Sequence, residues 1–166
     1  ESSTLFVTTL TSFIGPFMIS SVNVALPAIQ AEFSANAVQL SWIATAYLLA
    51  TAILLVPAGK VADIYGRKKI FVGGLALYTV ASGLAALVKT VAWLIGMRVL
   101  QGAGAAMFVT TGMAILTSVF PPHKRGRAIG IYVAAVYIGL SVGPFVGGLL
   151  TRYCHWRSIF VLVFLL

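Results

Sequence analysis

Five long apolar runs and the start of a sixth alternate with short polar breaks along this chain. The runs cover about residues 5–28, 40–58, 70–88, 91–120 and 128–150, and a last apolar stretch occupies 158–166. A helix needs about 20 apolar residues to cross a bilayer, and each of the first five runs reaches that length. The last has nine residues, roughly half a crossing. The pattern predicts an all-α transmembrane bundle of six helices, the sixth incomplete. The first residue is Glu1 rather than methionine and the last lies inside an apolar run, as expected of a piece of a longer chain.

An internal echo runs through the pattern. A shift of 89 residues lays Gly59 on Gly148, Lys68 on Arg157, and Ile70-Phe71 on Ile159-Phe160. The same shift lays the first run on the fourth. Three crossings repeated as three must have opposite orientations, because an odd number separates the copies. The expectation is a 3+3 inverted repeat of the kind found in membrane carriers.

Composition narrows the class. The chain is 60% hydrophobic and 8% charged, where a soluble domain carries about 25% charge. The net charge of +8 is not the signature of a nucleic-acid partner, since the cations sit in the breaks, where membrane proteins carry them on their cytoplasmic side. Lys60, Arg67, Lys68 and Lys69 lie in one break and Lys124, Arg125 and Arg127 in another, on the same side. The other side holds Lys89, Arg152 and Arg157. Seven against three places both basic breaks and the amino end in the cytoplasm of a multi-pass cell-membrane protein. Cys154 is the single cysteine, which excludes an internal disulfide and a cysteine metal cluster. His123 and His155 have no second ligand at metal spacing, so no metal or cofactor is expected. No set of nucleophile, base and metal ligands points to an enzyme.

The candidate chemistry lies at three places. The break Gly59 to Lys69 reads as a charged loop bounded by glycines, with Asp63 four residues before Arg67, so that one helical turn would bring them together. They form either a rim ion pair or the solvated charges of an orienting loop. Arg98 stands inside the fourth run, where a charge costs roughly 2.5–3.5 kcal/mol and marks a bundle interior or a watery cavity. Its alternative role is rigidity, through bonds to carbonyls of the first span, bent at Gly15-Pro16. Gly139, Gly143 and Gly147, with Pro144 and Gly148, put small residues at one-turn spacing for close helix approach. Asn23 and Gln101 are candidate cavity residues. Tyr47, Tyr132 and Tyr137 offer ring faces to a lipophilic cation or serve as packing; Trp42 reads as an interface anchor.

Four stretches resemble the major facilitator superfamily. Gly59-x-x-x-Asp63-x-x-Gly66-Arg67-Lys68-Lys69 is similar to the signature between its second and third spans. Arg98-Val99-Leu100-Gln101-Gly102 resembles its arginine-glutamine-glycine motif, and Gly139-x-x-x-Gly143-Pro144-x-x-Gly147-Gly148 its antiporter motif. Val22-Asn23-Val24-Ala25-Leu26-Pro27 is similar to the opening span of the 14-span drug:proton antiporters. The resemblance implies the amino-terminal half of such a carrier, working with a carboxy-terminal half of the same chain. It implies multidrug efflux by proton antiport, with a metabolite or other small solute as the alternative cargo. Asp63 and its neighbours would be a conformational latch, Arg98, Gln101 and Gly102 a coupling element, and the proton the coupling ion. Where the drug antiporters carry an acid, five residues before the asparagine, this chain has Met18. Its acids are Glu1, Glu32 and Asp63, none in the inner part of a span.

Overall fold

The computed structural model describes residues 2–166; Glu1 lies outside them. Six helices follow in order: α1 (Ser2–Phe33), α2 (Ala37–Tyr65), α3 (Arg67–Ala85), α4 (Val91–Val119), α5 (Pro122–Tyr153) and α6 (Arg157–Leu165). α1, α2, α4 and α5 are long and apolar enough to cross a bilayer. α3 has 19 residues, the first three cationic, and α6 has nine. The molecule is a six-helix all-α transmembrane bundle with inverted 3+3 packing and a short last helix.

The helices outrun the apolar runs that predict them, and both basic loops expected from the sequence are largely helical. Gly59 to Tyr65 forms the last turns of α2, and a single residue, Gly66, separates α2 from α3. In hydrocarbon an unpaired backbone group is costly, so the chain keeps its ladder through the interface until a residue can reverse it. Gly66 does so at φ 101°, with its N–H on the Ala62 carbonyl at 2.9 Å; glycine adopts this backbone at no side-chain penalty. The second basic stretch is helical from Pro122, whose fixed φ suits a first helical position. At the opposite end of the bundle, Asn36 and Gln39 form a capping box that starts α2, each side chain bonding the other's N–H at 2.8–3.0 Å.

α1 packs along α5, and α2 and α3 pack along α4. The 89-residue shift turns α1 into α4 and α5 into α2, so the α1–α5 and α4–α2 seams are one contact made twice. At the first, a Cβ on Gly139 would stand 2.5 Å from the Phe13 carbonyl oxygen. At the second, a Cβ on Gly102 would stand 2.5 Å from the Tyr47 carbonyl oxygen and 2.8 Å from the Ala50 methyl. Phe13 corresponds to Gly102 and Ala50 to Gly139. The small residue has changed sides while the backbone approach is kept. The polar lacing repeats too. The Ser12 hydroxyl donates to the Tyr132 carbonyl and the Arg98 Nε–H to the Ile43 carbonyl, both at 3.1 Å. Tyr132 and Ile43 are 89 residues apart. α1 and α4 each bury half of their most apolar stretch, against 22% for α2 and α5, so the first helix of each repeat is the inner one.

The turns agree as well. His155, 89 residues after Gly66, has φ 106°. A side chain held there costs about 1–3 kcal/mol, which Gly66 avoids and His155 bears.

The seams predict unequal tolerance of alanine. Gly139→Ala forces a methyl against the Phe13 backbone and should destabilise the bundle by about 1–3 kcal/mol. Gly130→Ala, on the same helix but facing open space, should be neutral or slightly stabilising. Thermal unfolding in detergent reads both, and equal midpoints would contradict the backbone-contact account.

Candidate functional site

Arg98 lies on the inner helix α4 and is 1% exposed. Its Nε–H donates to the Ile43 carbonyl of α2, and Nη1 donates to Gln101 Oε1 at 3.0 Å. The Gln101 amide donates onward to the Ser82 hydroxyl of α3 at 2.8 Å, and that hydroxyl donates to the Tyr78 carbonyl at 2.8 Å. The guanidinium sits over the Tyr47 ring, 4.6 Å from its centroid, with Tyr78 edge-on beyond. One polar chain therefore crosses three helices at the level of the first turns of α2. The carbonyl that Arg98 bonds is on the second span and not, as the sequence reading allowed, on the first. No carboxylate of the described residues meets it. A guanidinium in hydrocarbon is held here by a carbonyl, an amide and a ring face, the last a favourable interaction where water is absent. Gly102, next in the motif, takes no part in this network and serves the α2–α4 seam.

At the basic end, Asp63 and Arg67 pair across the Gly66 break, Arg67 Nη2 lying 3.2 Å from Asp63 Oδ1. They belong to different helices, so the turn rather than one continuous helix brings them together. Their side chains are 66% and 47% exposed, and an exposed pair of this kind is worth about 0–1 kcal/mol. As an internal strut it does little; it leaves both charges available to another surface. A cleft of about 130 Å³ opens beside it, lined by Gly59, Ala62, Asp63, Arg67, Thr110, Thr111 and Ala114. Lys68 is exposed at the start of α3.

On α5, Gly139, Gly143 and Gly147 lie on one face against α1. A Cβ on Gly143 would overlap the Ser20 hydroxyl, and one on Gly147 would stand 2.8 Å from Ser21 Cα. The Ser21 hydroxyl donates to the Gly143 carbonyl at 2.9 Å. A Cβ on Gly148 would meet Val24 at ordinary contact distance, and Pro144 is exposed. Asn23 is exposed on α1 between the buried Val22 and Ala25, a polar side chain at membrane depth on the outside of this six-helix unit.

Residues 8–166 match the family model described as Major Facilitator Superfamily. The chain belongs to the major facilitator superfamily. It is 35% identical over 153 residues to the riboflavin transporter RibZ of Clostridioides difficile, a match covering 90% of this chain and 34% of that protein. It is 39% identical over 162 residues to the multidrug resistance protein Stp of Mycobacterium tuberculosis, covering 95% and 30%. It is 37% identical over 148 residues to the cephamycin export protein CmcT of Amycolatopsis lactamdurans, covering 89% and 30%. Among solved structures it superposes on a bacterial homolog of the human lysosomal transporter Spinster, inward-facing and unoccupied, with a TM-score of 0.84 at 23% identity. That superposition covers 98% of this chain and 40% of the other. The chain thus spans about a third of the length of the curated relatives it matches. Its fold is that of a multi-pass secondary transporter and not of an enzyme.

Within this major facilitator bundle, the two alternatives for the tyrosines divide. Tyr47 and Tyr132 are buried, the first occupied by Arg98 and the second packed with Leu116, Phe120 and Ala128; only Tyr137 of the three is exposed. Met18 is fully buried in the core. The residues that the sequence did not single out are Ser82 and Tyr78, which complete the arginine network, and a cluster around Glu32. There Trp156 Nε1 donates to Glu32 Oε2 at 2.6 Å and Arg157 Nη1 to Glu32 Oε1. Arg157 Nη2 reaches the Val88 carbonyl at 2.8 Å, and His155 Nε2 lies 3.2 Å from Glu32 Oε2. The 124-residue separation of Glu32 from Trp156 hides this cluster from any local motif.

The arginine network yields a stability prediction. Gln101→Leu leaves the buried Arg98 Nη1 without its acceptor and the Ser82 hydroxyl without its donor, and should cost about 1–3 kcal/mol. Ser82→Ala removes only the chain's last link and should cost less. Thermal unfolding that ranks the two in the reverse order would contradict the network.

Proposed function

We propose that this chain is the amino-terminal half of a major facilitator carrier for a small organic solute, residues 1–166 forming its first transmembrane domain. The observation that carries the reading is the pair of pseudo-equivalent seams: an inverted repeat in a chain that covers about a third of its relatives. Such a repeat forms half of a major facilitator carrier, with the solute site near the midplane and rocking about it. Asn23, exposed on an inner helix, is then a candidate cavity residue rather than a lipid-facing one. The cation asymmetry supports a cytoplasmic position for the basic end and the amino terminus.

The relatives' names support a small organic cargo, since they include a riboflavin transporter, a multidrug resistance protein and a cephamycin exporter. Proton-driven multidrug export, with a lipophilic cation as cargo, is the second reading; the α1–α5 glycine seam at the antiporter-type motif favours it. Its proton carrier would lie in the rest of the protein. Of the two described acids, Glu32 is engaged by three partners and Asp63 stands at the rim, while Met18 fills the first-span position. The Asp63–Arg67 turn is proposed as the cytoplasmic latch, its exposed charges meeting the second half. Arg98 and Gln101 tie α2, α3 and α4 at the end of the bundle away from the latch.

Full-length protein in vesicles, tested with riboflavin and ethidium under an imposed pH gradient, decides between these readings. Movement of either probe above protein-free vesicles supports the carrier, and collapse of ethidium movement with the gradient selects proton antiport. Movement of neither, with insertion verified, contradicts the proposal. Asp63→Asn should slow transport about 5-fold or more without changing the amount inserted. Unchanged transport would return the pair to a topogenic role.

A further inference from the structure

The 89-residue shift that superposes the two seams also maps the α2–α3 turn onto the α5–α6 turn. Gly66 maps to His155, Arg67 to Trp156 and Lys68 to Arg157, and the two turn residues share a positive φ of 101° and 106°. The turns face opposite ends of the bundle, because Arg157 reaches both Glu32 at the end of α1 and the Val88 carbonyl after α3. The first turn carries the family signature; the second has no assigned role. Yet the second is the better fastened. Its Arg157 side chain is 28% exposed against 47% for Arg67, and its Trp156 is 1% exposed and packed edge-on against Phe33 and Phe160.

The strain at His155 points the same way. The mapped position in the first turn is glycine, and nothing in a bare reversal requires a side chain there. His155 keeps one, and its two ring nitrogens are both engaged: Nε2 faces Glu32 Oε2 and Nδ1 accepts the Arg157 backbone N–H at 3.4 Å. Positive-φ side chains persist where surrounding contacts hold them, and they cluster at switch regions. Arg157 also stacks on Trp156, 4.6 Å from its ring centroid. Glu32 is thus the single acceptor on which Trp156, His155 and Arg157 converge. It joins a helix of the first repeat to the turn of the second.

We propose that the α5–α6 turn is an outer latch, the inverted counterpart of the α2–α3 turn, in which Glu32 fastens the two three-helix repeats to each other through Trp156, His155 and Arg157. With the latch closed, α1, α3 and α6 share one outer rim and this half moves as one body. Glu32 and Arg157 are positioning residues: they touch no solute and act through the helices they join. The inference rests on the carrier reading for its consequence, but the latch itself is a property of this bundle.

Cys154, exposed and adjacent to His155, reports on the turn. In full-length protein with any cysteines beyond these residues replaced, a membrane-impermeant maleimide should label Glu32→Gln about 5-fold faster than wild type. The exchanged pair Glu32→Arg with Arg157→Glu restores the ion pair but not the Trp156 and His155 contacts, and should label more slowly than Glu32→Gln though faster than wild type. His155→Gly, which relieves the backbone while removing one contact, should insert in normal amount and label faster. On the same vesicles, Glu32→Gln should slow riboflavin or ethidium movement per inserted molecule, and the exchanged pair should recover part of it. Equal labelling of wild type and Glu32→Gln would overturn the latch. So would faster labelling with no recovery in the exchanged pair, or with unchanged transport per molecule, since a purely structural contact gives those results. If the wild-type protein moves neither probe, the carrier reading fails while the labelling rates still decide the latch.

Discussion

The close approach of helix backbones along two equivalent seams is the constraint on which the rest of this structure depends. In a bilayer the helices gain nothing by hiding apolar surface from one another, because lipid is equally apolar. Association has to come from van der Waals contact and from polar groups that find partners between helices. Gly139 against Phe13 and Gly102 against Tyr47 bring the backbones near enough for both. Hydroxyls of Ser12 and Ser21 then reach carbonyls of α5, and the Thr51 hydroxyl reaches the Gly102 carbonyl at 3.1 Å. The repeat keeps the approach but not the residue that permits it. The distance is what the two seams share, and either partner can supply the missing side chain.

Charge is scarce in this bundle, and its placement follows from that scarcity. The two described acids stand at opposite rims, one open to a partner and one enclosed by three. The deepest cation, Arg98, has neither, and relies on Ile43, Gln101 and Tyr47. A guanidinium suits this site better than an ammonium: its planar fork bonds two acceptors while its face stacks on a ring. The result is an interior with one buried charge and no carboxylate to meet it among the described residues.

Much of this was legible from spacing. The lengths of the apolar runs predict the helices, and the 89-residue echo predicts the inversion that the seams display. Helix ends were less legible, because hydropathy stops at the edge of the hydrocarbon while the backbone ladder continues to Gly66 and begins again at Pro122. Gln101 was legible beside Arg98 in one motif, but the arginine's other partner was not: a carbonyl such as that of Ile43 is present at every residue and carries no sequence mark. Glu32 was visible as an acid in a break, but its meeting with residues 155–157 depends on which helix ends share a rim. Only the folded chain shows that.

The central claim is inversion: two like turns on opposite membrane faces. It is tested most directly by labelling the full-length protein in intact cells with an impermeant maleimide, comparing native Cys154 with Lys68→Cys in a Cys154→Ser background. The account predicts that Cys154 reacts from outside and that the cysteine at position 68 reacts only after the membrane is opened. Reaction of both from the same side would contradict the inverted repeat and every functional reading built on it.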